Sequence, residues 1–141
     1  MDHVVYLDAK SKELSKITQG IKSMILRGAQ GRKLPYGRVF EGDILYFTNN
    51  DGSGIIHSKA EVQSVINSEK LTFEESFELI EKNHEQLQAD KSVMNRFGGK
   101  RYLVLISIKN FEMIENFTFD RSQFSNMDDW LIVEKIENVM F

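Results

Sequence analysis

Gly20-Ile21-Lys22-Ser23-Met24-Ile25-Leu26-Arg27-Gly28 is the stretch on which the fold turns. Upstream, Leu14, Ile17 and Ile21 recur at helical spacing behind Ser11, which is placed to cap a helix. Gly20 supplies the permissive backbone that ends a helix, and Ser23 to Leu26 reads as the strand that follows. No carboxylate interrupts the chain between Glu13 and Glu41. Lys22, Arg27, Arg32, Lys33 and Arg38 therefore give residues 22–38 a charge of +5 within a chain of net charge −3. Such an asymmetry focuses an anionic ligand on one face although the total is acidic.

Outward from this segment, His3 to Leu7 reads as a first strand. Asp43 to Thr48 and Ile55 to Ile66 flank the turn Asn49-Asn50-Asp51-Gly52-Ser53-Gly54 and predict a hairpin. Leu71 to Leu87 is the clearest helix. Thr72 and Glu75 have capping-box spacing, and Phe73, Phe77, Ile80, His84 and Leu87 share a face. Lys91 to Gly99 predicts a short helix ending in two glycines. Tyr102 to Ile108, Phe111 to Phe119 and Trp130 to Ile136 complete the strands. Strands come in runs instead of alternating with helices, so the expectation is an α+β fold, a mixed or antiparallel β-barrel flanked by helices. With 141 residues, 41% hydrophobic and 28% charged, one domain over residues 1–141 is expected.

The absence of cysteine excludes disulfides, thiolate metal sites and cysteine nucleophiles. No signal-peptide pattern or membrane-length apolar run is present, and a cytoplasmic location is the expectation. His3, His57 and His84 lack partners at ligand spacing, so neither metal nor cofactor is expected. His84, on the apolar helix face, is expected to be half-buried. Oligomeric state is left open.

The helix ending at Gly20, then Gly-x-Lys-x-x-x-x-Arg (Gly20, Lys22, Arg27), Glu41-Gly42-Asp43-Ile44 and Ala60-x-Val62 resembles the ASCH family of the PUA-like superfamily. This signature covers about a third of the chain. The resemblance implies a small pseudo-barrel with a cleft lined by Lys22 and Arg27. It also implies RNA or modified-base binding or, in some members, hydrolysis of an acylated nucleoside or of RNA. In the deacylating branch a threonine stands three positions after the lysine, where this chain has Ile25. That replacement favours a binding module over a hydrolase.

Further candidates sit in two clusters. In the loop after Gly28, Arg32, Lys33 and Arg38 surround Tyr36, combining cations for phosphate with a ring on which a base can stack. Around Gly98 and Gly99, Arg96, Lys100, Arg101 and Tyr102 repeat the mixture. If the fold joins the two clusters they form one electropositive groove, to which RNA or a nucleotide-like anion is the expected partner. The plain alternative makes them solvated charges at loop and helix ends. Ser122, Ser125, Asp128 and Asp129 follow no nucleophile pattern; Asp128-Asp129 could supply a general base near the cleft, but the pair reads best as a solvated turn before a strand. Trp130 reads as core. Glu74, Glu75, Glu78, Glu81 and Glu85 make an acidic helix face that nucleic acid would avoid. The aromatic segment Phe111 to Trp130 offers a third reading, a protein-docking surface.

Overall fold

A computed structural model describes residues 1–124 and 128–141. Six strands, β1 (Asp2–Leu7), β2 (Met24–Ala29), β3 (Ile44–Asn49), β4 (Ile55–Asn67), β5 (Tyr102–Thr118) and β6 (Trp130–Glu134), form one sheet in the order β2-β5-β4-β3-β1-β6. β1 and β3 run parallel and every other neighbouring pair is antiparallel. The sheet curls into a half-barrel, an α+β architecture with helices packed at its sides. The helices are α1 (Glu13–Thr18), α2 (Phe73–Lys82), α3 (His84–Leu87) and α4 (Lys91–Phe97).

Strand alternation sorts the apolar residues into layers. From β2, Ile25 joins Val5, Phe47, Val62, Ile106 and Trp130 in the concave interior. Met24 and Leu26 point the other way, to Ile80, Leu87, Val93 and Phe97 of the helices. A third cluster, Val4, Ile56, Phe119, Leu131 and Val139, lies under the C-terminal segment. Gly28 lets β2 approach β5 closely: a Cβ there would stand 2.7 Å from Leu103 Cδ2 and 3.3 Å from the Tyr102 carbonyl oxygen.

Several expectations change. α1 ends at Thr18, and Gly20, with φ of 75°, redirects the chain so that Ile21 is exposed instead of continuing the apolar face. Ser11 does not cap α1. Its hydroxyl bonds Asp8 and Asp90, and Lys12 occupies the cap position. The Thr72–Glu75 capping box is present with both bonds, worth about 1 kcal/mol. The long helix, however, breaks at Asn83, whose side-chain amide donates to the Leu79 carbonyl. The break turns His84 to solvent, and Phe73 is 64% exposed. The two expected strands Tyr102–Ile108 and Phe111–Phe119 are one strand, β5. Asn110 adopts positive φ where the β4–β5 register slips, and the resulting bulge keeps the ladder continuous past a residue that reads as a break.

Candidate functional site

β2 and β6 are the two free edges of the curled sheet, and the seam between them is where the candidate residues gather. Arg27 shares the interior-facing parity of Ile25 but lies at the seam end of β2. The residue is 5% exposed, a burial that charge tolerates only with partners. Nη2 donates to the Tyr6 carbonyl of β1 at 2.6 Å, and Nη1 to the Leu26 carbonyl at 2.8 Å. Phe97 and Trp130 lie 5.9 and 5.7 Å from its central carbon, within cation–π range. Nε is 3.3 Å from Asp129 Oδ2, close enough for an ion pair, but the N–H is not aligned and makes no hydrogen bond.

Above Arg27 opens a groove of about 240 Å³, at the small end of ligand clefts. The loop after β2 contributes Lys33 and Tyr36. The end of α4 contributes Arg96 and Phe97, the turn after it Lys100, and the first residue of β5 Tyr102. Asp129 completes the lining, and Arg96 Nη2 meets its Oδ2 at 2.6 Å. Lys33 Nζ pairs with Asp128 at 2.8 Å. Among the described residues no carboxylate pairs with Lys100 or Arg32. Tyr36 and Tyr102 meet edge to face at 5.6 Å, and Arg32 lies over both rings at 5.7 and 5.5 Å. The Tyr36 hydroxyl donates to the Ser68 carbonyl, which anchors the ring at the groove wall.

Not every candidate is here. Lys22 lies before β2 and turns to the helix side, consistent with its odd spacing from Arg27. It is 4% exposed, donates to the Leu87 carbonyl and lies 3.8 Å from Glu13 Oε2. Burial depresses its pKa to about 8; Glu13 opposes that fall, and the charge of Arg27 adds to it. Ile25 is fully buried in the interior core. Arg32, Arg38 and Arg101 are exposed outside the groove lining, with Arg101 N–H donating to the Gln30 side chain.

The depressed Lys22 pKa has a measurable consequence. Below about pH 8 the lysine is charged in both states and its burial costs stability. Between about 8 and 10.5 the unfolded chain still binds the proton that the folded chain has released, so stability rises with pH. The unfolding free energy of the wild type relative to Lys22→Met should therefore climb across that window in urea titrations. A constant difference from neutral pH to pH 10 would contradict this.

The sequence did not mark Phe97 or Trp130 as part of the site, and it marked Asp129 only as a possible general base, not as a partner of the arginines. Asp129 is not a solvated turn residue: its carboxylate is held inside the groove by two guanidiniums. Its partners are distant in sequence, so no local pattern marked the pairing. Ser125 lies outside the described residues. Within the aromatic segment Phe111 to Trp130, Phe119 and Trp130 are buried and Phe111 packs on Phe47, so these three rings are not presented as an open surface. Among the described residues no three His, Cys, Asp or Glu side chains converge as a metal site, and no helix is long and apolar enough to cross a membrane.

No family model matches the chain, and neither does any curated protein. Solved structures do. The ASCH protein of Zymomonas mobilis superposes with a TM-score of 0.69 at 12% identity over 97% of this chain and 92% of that one. Its tyrosine-to-phenylalanine variant gives 0.70 at 13% identity, over 96% and 92%. Its serine-to-alanine variant gives 0.69 at 13%, over 96% and 90%. At such identity the likeness is one of fold.

Proposed function

From an ASCH-type, PUA-like fold with a basic groove at its seam, we propose that this protein binds single-stranded RNA or a nucleotide in that groove. The carrying observation is Arg27: a buried guanidinium at the groove floor whose Nε has no aligned hydrogen bond. A buried charged donor left without a bond is costly, and a ligand oxygen in the groove would satisfy it. Around it Lys33, Arg96 and Lys100 supply charge for phosphate, and Tyr36 and Tyr102 supply ring faces for a base. Arg32, stacked on those rings, can lie over a base or give way to one. The hydrolase alternative lacks comparable support, since Lys22 does not line the groove and Ile25 is core.

Fluorescence anisotropy of a labelled mixed-sequence RNA oligomer tests the reading. Neutralising three phosphates predicts that the logarithm of affinity falls with the logarithm of salt at a slope of about −2. No binding at low salt, or an affinity indifferent to salt, would overturn it.

A further inference from the structure

We propose that Asp129 is an anion built into the groove to hold the seat that a ligand's phosphate takes, so that binding is an exchange of one anion for another. The inference rests on the groove reading above and adds how the site works and what it selects. Both guanidiniums converge on one carboxylate oxygen: Arg96 Nη2 at 2.6 Å and Arg27 Nε at 3.3 Å. A single oxygen between two guanidiniums is how a phosphate oxygen is held. Asp129 fills this seat imperfectly, because its geometry leaves the buried Arg27 Nε without a hydrogen bond. A free oxyanion, unconstrained by the chain, can align with both donors.

The carboxylate also has a way out. Asp129 is pinned through its backbone, its carbonyl accepting from the Tyr6 N–H at 3.0 Å, and Trp130 beside it pairs with Val5 in the sheet. Rotation of the side chain alone therefore vacates the seat. Asp129 and Arg96 line a second cavity as well, of about 310 Å³. Tyr6, Asn50, Arg121 and Asp128 also line it, so the departing carboxylate meets the Arg121 cation together with the Asp128 carboxylate, whose own charge is offset by Lys33. The exchange admits a ligand that brings its own negative charge and resists a neutral nucleoside, which cannot replace the carboxylate between two guanidiniums.

The experiment titrates inorganic phosphate into the wild type and Asp129→Asn while following arginine Nε–Hε resonances. Arg27 and Arg96 are expected to respond in both proteins, with phosphate binding about tenfold tighter in the asparagine variant, the order of one charge-assisted bond removed from competition. Equal or weaker phosphate binding by the variant overturns the proposal. In the wild type the Asp129 carboxyl carbon should shift in step with Arg27 Nε. A stationary carboxyl, or no response of Arg27 to phosphate, overturns it too, whether or not the variant folds. A labelled RNA oligomer separates the two claims. If phosphate exchanges as expected but neither protein retains RNA, the anion seat stands and the nucleic-acid reading falls. If both proteins bind RNA equally and phosphate does not exchange, the groove stands and Asp129 is only a structural partner of its arginines.

Discussion

Arg27→Ala is expected to destabilise the protein by about 3 kcal/mol, the order seen when one member of a buried charge pair is removed. Three losses coincide. The Tyr6 and Leu26 carbonyls lose their donors, Asp129 loses one of its two cations, and the space between Phe97 and Trp130 empties. The cost falls at the seam, where β2 and β6 are free edges and Arg27 donates across to β1. In a chain of this size the melting temperature should drop by roughly 10 °C. Arg27→Lys is the informative companion, because a lysine keeps the charge but lacks the fork that meets two carbonyls together. It should recover only part of the stability. Thermal unfolding within 2 °C of wild type for the alanine variant would show that the guanidinium is a bystander.

Trp130→Ala should cost more, about 4 kcal/mol, because a fully buried indole leaves a large cavity among Val5, Phe47 and Ile106. Trp130→Phe isolates a second effect. The indole N–H donates to His3 Nδ1 at 3.1 Å, while His3 Nε2 bonds Asp43 at 2.9 Å, so the imidazole is held neutral with its proton on Nε2. Burial lowers the His3 pKa below its ordinary 6.5, with Asp43 opposing. A histidine depressed in this way loses stability as pH falls, since the unfolded chain takes up a proton that the folded chain refuses. In Trp130→Phe the Nδ1 position no longer faces an N–H donor, so protonation is resisted less. The acid-side loss of stability should therefore be shallower than in the wild type. Denaturant titrations at pH 7 and pH 5 measure this, and an unchanged or steeper loss would contradict the tautomer assigned to His3.

Both variants act on the seam, and the seam is where reading the sequence reached its limit. The elements legible beforehand carry local signals: β1 by its β-branched run, the β3–β4 hairpin by its turn, and α2 by a capping box that forms as expected. The ASCH-like motif also led to the observed fold. Elements that differ do so where tertiary geometry overrode a local cue. Asn110 looks like a strand end but is absorbed as a bulge, Ser11 looks like a cap but ties Asp8 to Asp90, and the helix stops at Asn83 before it can bury His84.

The site divides in the same way. The cations of the two glycine-dotted clusters were visible as composition, and Lys33, Arg96 and Lys100 do line one groove with Arg27. Arg38 and Arg101 stand outside it, because loop composition carries no information about direction. Asp129 stood out only as a possible general base near the cleft, and its pairing with two arginines was not legible, for a physical reason. Its importance lies in an ion pair with a residue on the opposite edge of the sheet, and curling of the sheet, not spacing along the chain, brings the two together.

The proposed binding of nucleic acid in this groove is open to direct test. The most direct measurement is anisotropy of a labelled single-stranded RNA, at low salt, with the wild type and the double variant Arg96→Ala, Lys100→Ala. Arg96 is exposed, Lys100 half-buried, and neither is a core residue, so the fold should survive their loss. Removing these two groove-lining cations should weaken binding at least tenfold and make its salt dependence shallower by about 1 to 1.5 in logarithmic slope. An affinity and slope equal to the wild type's would place any RNA site elsewhere on the molecule and contradict the groove assignment.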